Sequence, residues 1–329
     1  MRLIITARAL LLALACSLLL PAQAAEPVTV RVGVLQFGTV SWELEVMRSG
    51  GFAEREGIRL EIVPLALKDA TNVAIQGQAV DVIVNDWIWV ARQRAEGRDF
   101  TFVPYSLAVG GLMVKPDSGI ASLADLRGKR VGVAGGPLDK SWLLLRAYAR
   151  RTLGEDAASL VQADFVAPPL LNELTLHGEL PAALNFWHYG ARLQGAGLVE
   201  MLSMAQILEG LGIERELPLV GWVFRERWAR DNPKAITGFL RASLAAKAHM
   251  RDDDAVWHRL RPMMRVEDDA TFLALRDGFR AGIPSRPPAE GEQAARQAFA
   301  ILAATGGTTL VGKTHTLAEG TFWSGAPGQ

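Results

Sequence analysis

The chain alternates short β-branched stretches with amphipathic ones, twice over, and that alternation restricts it to an α/β fold built on largely parallel sheets. Residues 28–34 alternate apolar and polar side chains, Phe37-Gly38-Thr39 interrupts them, and an amphipathic stretch runs from Trp42 to Met47. Residues 59–63 read as a second strand ended by Pro64, residues 69–77 have helical spacing, and residues 80–84 form a short apolar strand. The order βαβαβ with short connections puts helices on both faces of a sheet and gathers binding loops beyond the carboxyl ends of its strands. The loops after Val34, Val63 and Val84 are therefore expected to converge.

A second set follows Gly110-Gly111, with strands over 112–114, 130–134, 163–166 and 182–184 and a long helix over 140–152. From residue 219 the pattern changes to one apolar strand, 219–223, and then helices near 233–250, 252–260, 268–281 and 291–304. If that strand returns to the first sheet, the first lobe is discontinuous, 25–107 plus 219–329, and encloses a second lobe over 108–218. The two linking strands, near 106–110 and 216–221, then make a natural hinge. A length of 329 residues suits two domains, each able to bury its own core.

The first residues follow a different logic. Arg2 and Arg8 precede or flank an apolar run over 9–20, and Pro21-Ala22-Gln23-Ala24 places small residues where a signal peptidase reads them. The run is shorter than the roughly 20 residues that span a bilayer. Residues 1–24 are expected to be a signal peptide cleaved near Ala24, which makes the mature chain periplasmic and soluble. Cys16 is the only cysteine and leaves with that segment, so cysteine catalysis, disulfides and thiolate metal sites are excluded. A lipoprotein acylated at Cys16 is the lesser alternative, because Ala13 stands where such sites usually carry Leu. The remaining 33 basic and 35 acidic residues are interleaved and offer no cationic face to a phosphate backbone, so nucleic acid is not an expected partner.

Particular stretches resemble the periplasmic substrate-binding proteins of ABC importers, in the branch that binds sulfonates, taurine, nitrate and thiamine precursors. Leu123-Ala-Asp-Leu-Arg-Gly-Lys-Arg-Val-Gly-Val133 is similar to that family's passage into its second domain, and Ala74-Ile-Gln-Gly-Gln-Ala-Val-Asp81-Val to its helix-to-strand passage. His177-Gly-Glu-Leu-Pro-Ala-Ala183 resembles the matching passage of the second domain, with Pro181 where an Asp is common. Asn185-Phe-Trp-His-Tyr-Gly-Ala-Arg192 and Gly320-Thr-Phe-Trp323 look like the thiamine-precursor sub-branch. The resemblance implies a type II periplasmic binding protein fold: two lobes, each a mixed, mostly parallel sheet flanked by helices, joined by two hinge strands and closing on a small molecule that a membrane permease then receives.

Residues that follow predicted strands supply the candidate cleft. From lobe one these are Phe37, Gly38, Thr39 and Trp42, then Asn85, Asp86 and Trp87, then Trp222; from lobe two, Gly135, Gly136 and Asp139, then Asn185, Trp187 and His188. Indole faces, amide donors and acceptors, and a Gly-rich turn entering a helix suit a small ring or a weak acid. Plainer roles stand beside these. Each Trp is as often core as ligand wall, and Trp89, two residues beyond Trp87, is expected to pack. Asp86 has the position of an ordinary helix cap, and Gly135-Gly136 that of a tight turn. Arg48 and Arg192 are the arginines that could swing in to meet an acid.

Other patterns carry less. Gly307-Thr-Thr-Leu-Val-Gly-Lys-Thr314 satisfies the P-loop expression but follows a helical stretch, whereas a P-loop follows a strand and opens a helix. The acidic runs 252–254 and 267–269 stand where helices begin and read as caps. No Gly-x-Ser-x-Gly, His-Glu-x-x-His or cysteine nucleophile is present, and the histidines lack helical zinc spacing. The expectation is a monomeric exported solute-binding protein, not an enzyme, with no cofactor and no metal, that delivers an aromatic, heterocyclic or sulfonate-like molecule to an ABC permease of the inner membrane. The rival is a periplasmic enzyme, or an accessory protein of an exported oxidoreductase, using the same cleft.

Overall fold

The computed structural model describes residues 26–36, 38–213, 216–286, 288–314 and 316–325. The signal segment with Cys16 and its cleavage at Ala24, and the candidate Phe37, lie outside the described residues. The first sheet holds β1 (Val28–Leu35), β2 (Ile58–Leu65), β3 (Val82–Asp86) and β4 (Phe100–Ser106). The second holds β5 (Leu112–Val114), β6 (Arg130–Val133), β7 (Gln162–Phe165), β8 (Ala182–Leu184) and β9 (Val199–Leu202), and β10 (Val220–Arg225) returns to the first. Helices α1 (Val40–Ser49), α2 (Lys68–Gln76) and α3 (Trp87–Ala95) belong to the first run, α4 (Lys140–Leu153), α5 (Pro168–Leu176) and α6 (Trp187–Gly195) to the second. The late block includes α7 (Pro233–Asp252), α8 (Asp269–Ala281) and α9 (Pro288–Val311).

The sheets share one plan. Their orders are β2-β1-β3-β10-β4 and β7-β6-β8-β5-β9. In each, one strand runs against its neighbours: β10 is antiparallel to β3 and β4, and β5 to β8 and β9. The reason is connectivity. The chain leaves the first sheet at the carboxyl end of β4 and arrives at the second from the side where its parallel strands end, so β5 must run backwards; β10 makes the reverse journey under the same constraint. The two crossing strands are thus the two antiparallel ones.

A second sign of duplication is a pair of asparagines. Asn85 donates to the Asn72 side chain at 2.6 Å and accepts the Asp86 backbone N–H at 2.8 Å. Asn185 donates to the Asn172 side chain at 2.9 Å and accepts the Phe186 N–H at 2.8 Å. Both buried amides clamp a strand end to the helix before it. The motif residue Asp81 ties the turn before β3 to β1, accepting from the Arg31 backbone and guanidinium. Pro181 has no carboxylate with which to do the same in the second sheet.

The late helices tie the two halves together. Phe299 of α9 packs on Trp87, and the apolar interior runs from Ile83 and Trp87 through Phe299 and Leu302 to Leu143 and Val133 of the second half. Helix α8 packs on α6 closely enough that a Cβ on Gly195 would lie 2.6 Å from the Thr271 backbone. The hinge expected from two strands alone is therefore supplemented by two helical contacts. The C-terminal segment covers the outer edge of β4, where Phe102 donates to the Thr321 carbonyl and accepts from the Trp323 N–H, which protects an otherwise open edge strand. Among the described residues no helix is long and apolar enough to cross a membrane.

Candidate functional site

The strand ends of both sheets face a cavity of about 590 Å³, within the size range of sites for drug-sized ligands. The first sheet contributes β1, β3 and β4 ends, the second the turn after β6 and the start of α6, and the broken end of α9 closes one side. Strand β3 passes into α3 without a loop: Asp86 ends the strand and caps the helix by accepting the Trp89 N–H at 2.8 Å. The cap role and the cavity role coincide in one carboxylate.

The other oxygen of Asp86 is the electrostatic centre of the cavity. Its Oδ2 accepts from Lys68, at the start of α2, at 3.0 Å, and from Lys140, at the start of α4 across the cleft, at 2.8 Å. Burial pushes the Asp86 carboxyl up, but the ammonium groups of Lys140 and Lys68 and the Trp89 N–H outweigh it and hold the group far below the ordinary carboxylate range. Asp86 in turn raises Lys68 against its own desolvation. Asp139 caps α4 through the Ser141 and Trp142 N–H groups, and burial raises its pKa despite Lys140 beside it.

Helix α6 offers the opposite arrangement. Phe186 occupies its cap position, so no side chain satisfies the first turn, and the Trp187 and His188 N–H groups have no acceptor among the described residues. His188 lines the cavity with its Nδ1 buried and unpaired. Burial, with Arg192 nearby, lowers its imidazole to about 4, so it is neutral at neutral pH.

Behind the first-sheet wall lies a buried polar network. Glu43 accepts from Lys247 and from the Ser243 hydroxyl, each at 2.5 Å, and Ser243 accepts the Trp222 indole N–H at 3.0 Å. The Lys247 ammonium sits 4.0 Å from the centre of the Tyr105 ring, which forms part of the cavity wall. Burial lowers Lys247, and Glu43 opposes that shift. The network fixes an aromatic wall from behind.

Of the candidates read from sequence, Gly38, Thr39, Asn85, Asp86, Gly135, Asp139, Trp187 and His188 line the cavity. Trp42, Trp87, Gly136, Asn185 and Trp222 do not. Trp87 and Trp222 are fully buried core residues, the latter against Tyr105 and Phe239. Trp42 packs edge-on behind Trp187 at 6.2 Å, and Asn185 is spent on its clamp. Trp89 packs as expected, its ring on Phe100 at 5.0 Å, and the residue also borders the cavity, while Trp87 takes the core. Arg48 pairs with Glu45 on the surface, and Arg192 donates to the Met264 carbonyl, so neither reaches the cavity. Lys68, Tyr105, Phe279 and Thr309 are wall residues that sequence reasoning did not name. Lys68 alone had a signal, since it lies in the loop after the second strand that was expected to converge.

The literal P-loop expression has no strand before it. Gly307, with φ 61°, breaks α9, and Thr309 and Leu310 beyond the break enter the cavity wall while Lys313 is exposed. Asp253 and Asp268 cap helices by accepting the Ala255 and Thr271 N–H groups. No group of three or more His, Cys, Asp or Glu among the described residues could hold a metal.

Two five-stranded mixed sheets facing one cleft define the two-lobed α/β architecture of periplasmic binding proteins. The chain belongs to the NMT1/THI5-like family, whose model matches residues 44–255. It is similar in structure to the periplasmic aliphatic sulphonate binding protein SsuA from Escherichia coli, with a TM-score of 0.72 and 17% identity over 90% of this chain and 92% of that one. The alkanesulfonate-binding protein SsuA from Xanthomonas axonopodis pv. citri, bound to MOPS, gives a TM-score of 0.68 at 17% identity over 91% and 99%. The desulfurization enzyme DSZB gives 0.59 at 16% identity over 85% and 92%. At these identities the likeness establishes the fold. No curated protein matches the sequence.

Proposed function

We propose that the protein is an exported solute-binding protein that captures a small organic molecule between two lobes and delivers it to an ABC permease of the inner membrane. The lobes are residues 25–107 with 219–329, and residues 108–218, in a chain freed of its signal peptide near Ala24 and acting as a monomer in the periplasm. The observation that carries the reading is the cavity shared by both sheets and spanned by the Lys140–Asp86 ion pair, with one partner from each side. The SsuA likeness supports the same mechanism. Gly38, Thr39, Asn85, Asp86, Gly135, Asp139, Trp187 and His188 are the proposed contacts, with Tyr105, Trp89 and Phe279 completing the aromatic wall.

The test is tryptophan fluorescence and thermal melting of residues 25–329 against sulfonates, pyrimidines, aromatic acids and amines. A saturable signal with a rise in Tm, the ligand being recovered unchanged, is the expected result, because a ligand selective for the folded chain stabilises it. Consumption of the ligand contradicts the reading and favours the enzyme, whose fold precedent is DSZB.

A further inference from the structure

The charges of the cavity wall are matched inside the protein, with Lys68, Arg92 and Lys140 against Asp69, Asp86 and Asp139. They are not matched within one lobe. Lys68 and Asp86 both belong to the half built on the first sheet, whereas Lys140 opens α4 in the second half and reaches the same Asp86 oxygen, at 2.8 Å against 3.0 Å for Lys68. This tie lies on the open side of the cavity, where the Lys68 side chain is 53% exposed. Elsewhere the halves meet by close helix packing: a Cβ on Gly278 of α8 would lie 3.2 Å from the Trp187 ring of α6, and Arg192 of α6 donates to the Met264 carbonyl at 2.7 Å. The turn after α8 fastens both crossing segments. Gly282 accepts the Leu107 N–H at 2.8 Å, and Ser285 donates to the Glu216 carboxylate through its N–H and its hydroxyl, at 3.1 and 2.5 Å. Those contacts hold the hinge side, and the Lys140–Asp86 pair holds the cleft side.

Breaking a buried ion pair is ordinarily costly, because it leaves one charge desolvated and without a partner. Here that cost is held down. When Lys140 leaves, Asp86 keeps Lys68 and the Trp89 N–H, and the freed ammonium passes into the water of the widened cleft. On the reading that the cavity is a solute site between two lobes, we propose that the Lys140–Asp86 pair is a latch that holds the empty lobes shut, and that Lys68 makes it reversible by retaining Asp86 when the cleft opens. The two lysines compete for one oxygen and so set the balance between open and closed forms. A solute then shifts that balance by adding contacts that only the closed form makes. Loss of either lysine has a different effect: without Lys140 the cleft side is untied, whereas without Lys68 the carboxylate is left to Lys140 alone.

The experiment needs no solute. Residues 25–329 contain no cysteine, so Val73→Cys on α2 and Leu170→Cys on α5, both exposed positions, carry one spin label on each lobe, and pulsed electron spin resonance reads the distance between them. Lys140→Gln is expected to move much of the population to longer distances, while Lys68→Gln keeps the distribution of the unsubstituted labelled protein or narrows it at the short end. Asp86→Asn gives a second route to the same release, since its side-chain oxygen can still accept the Trp89 N–H and cap α3, and it should lengthen the distance as Lys140→Gln does. Melting shows that each labelled variant folds. A Lys140→Gln distribution equal to that of the unsubstituted protein, or a Lys68→Gln distribution lengthened as far as that of Lys140→Gln, overturns the latch and leaves the solute-binding reading intact. Failure of the whole solute panel removes that reading by its own test, and the distances still decide whether the lobes are latched.

Discussion

Lys247→Met isolates the buried network that backs the cavity. In the wild type, Lys247 is 6% exposed and Glu43 is completely buried, and they meet at 2.5 Å. The substitution fills much the same space with a thioether and leaves the Glu43 carboxylate with the Ser243 hydroxyl as its remaining side-chain donor. Breaking a buried pair by removing one partner typically costs about 3–5 kcal/mol, because a charge is left desolvated without its counter-charge. The double change Glu43→Leu with Lys247→Met removes both charges and should recover most of that loss, since a buried ion pair replaced by apolar groups is often neutral or better. Guanidinium denaturation of the four proteins in a double-mutant cycle, at one pH, measures this. A single-variant cost below about 1 kcal/mol, or a double variant no more stable than Lys247→Met, would refute the reasoning. The single variant should also loosen Tyr105, which loses the cation held 4.0 Å from its ring, and so weaken any ligand stacked there.

Other outcomes are equally specific. Trp87→Ala should cost about 3–5 kcal/mol in denaturant unfolding, because it empties a fully buried site. Trp187→Ala should chiefly weaken ligand binding, which fluorescence titration with the best-bound panel member reads, because Trp187 lines the cavity. Gly110→Ala should lower Tm sharply and cost more than about 1 kcal/mol, because its Cβ would fall 1.7 Å from the Asn185 carbonyl oxygen, a backbone atom at the start of α6. His188 contributes to stability versus pH with a defined sign. Its folded value of about 4 lies below the ordinary 6.5, so the folded state prefers the neutral ring. The contribution is complete above pH 6.5 and is lost as pH falls toward 4, and His188→Gln should flatten that part of a melting profile.

The strands and helices were legible because their signal is local. Residues 28–34 alternate, residues 69–77 follow helical spacing, and the observed β1 and α2 fall on them within a residue or so at most ends. Convergence of strand-end loops was equally readable, since it follows from parallel order rather than from side-chain detail. The identity of the wall residues was not. Trp87 and Trp89 lie two positions apart on α3, about 200° around the helix axis, so one orientation buries Trp87 in the core beside Phe299 and leaves Trp89 half-buried on Phe100 at the border of the cavity. Nothing in the local sequence sets that rotation; the packing of α9 through Phe299 does, some two hundred residues later. Lys68 and Lys140 are ordinary charges until the fold brings both to Asp86, at separations of 18 and 54 residues. Asn72 and Asn172 gain their meaning only once each meets the asparagine thirteen residues further on.

The central claim is that the cavity between the two sheets holds a solute and releases it unchanged. Equilibrium dialysis of residues 25–329 with the best-bound panel member, followed by denaturation and chemical analysis of what is released, tests it directly. The account predicts one molecule per chain, recovered intact, with binding weakened by Trp187→Ala. Recovery of a chemically altered molecule, or binding indifferent to Trp187, would contradict it.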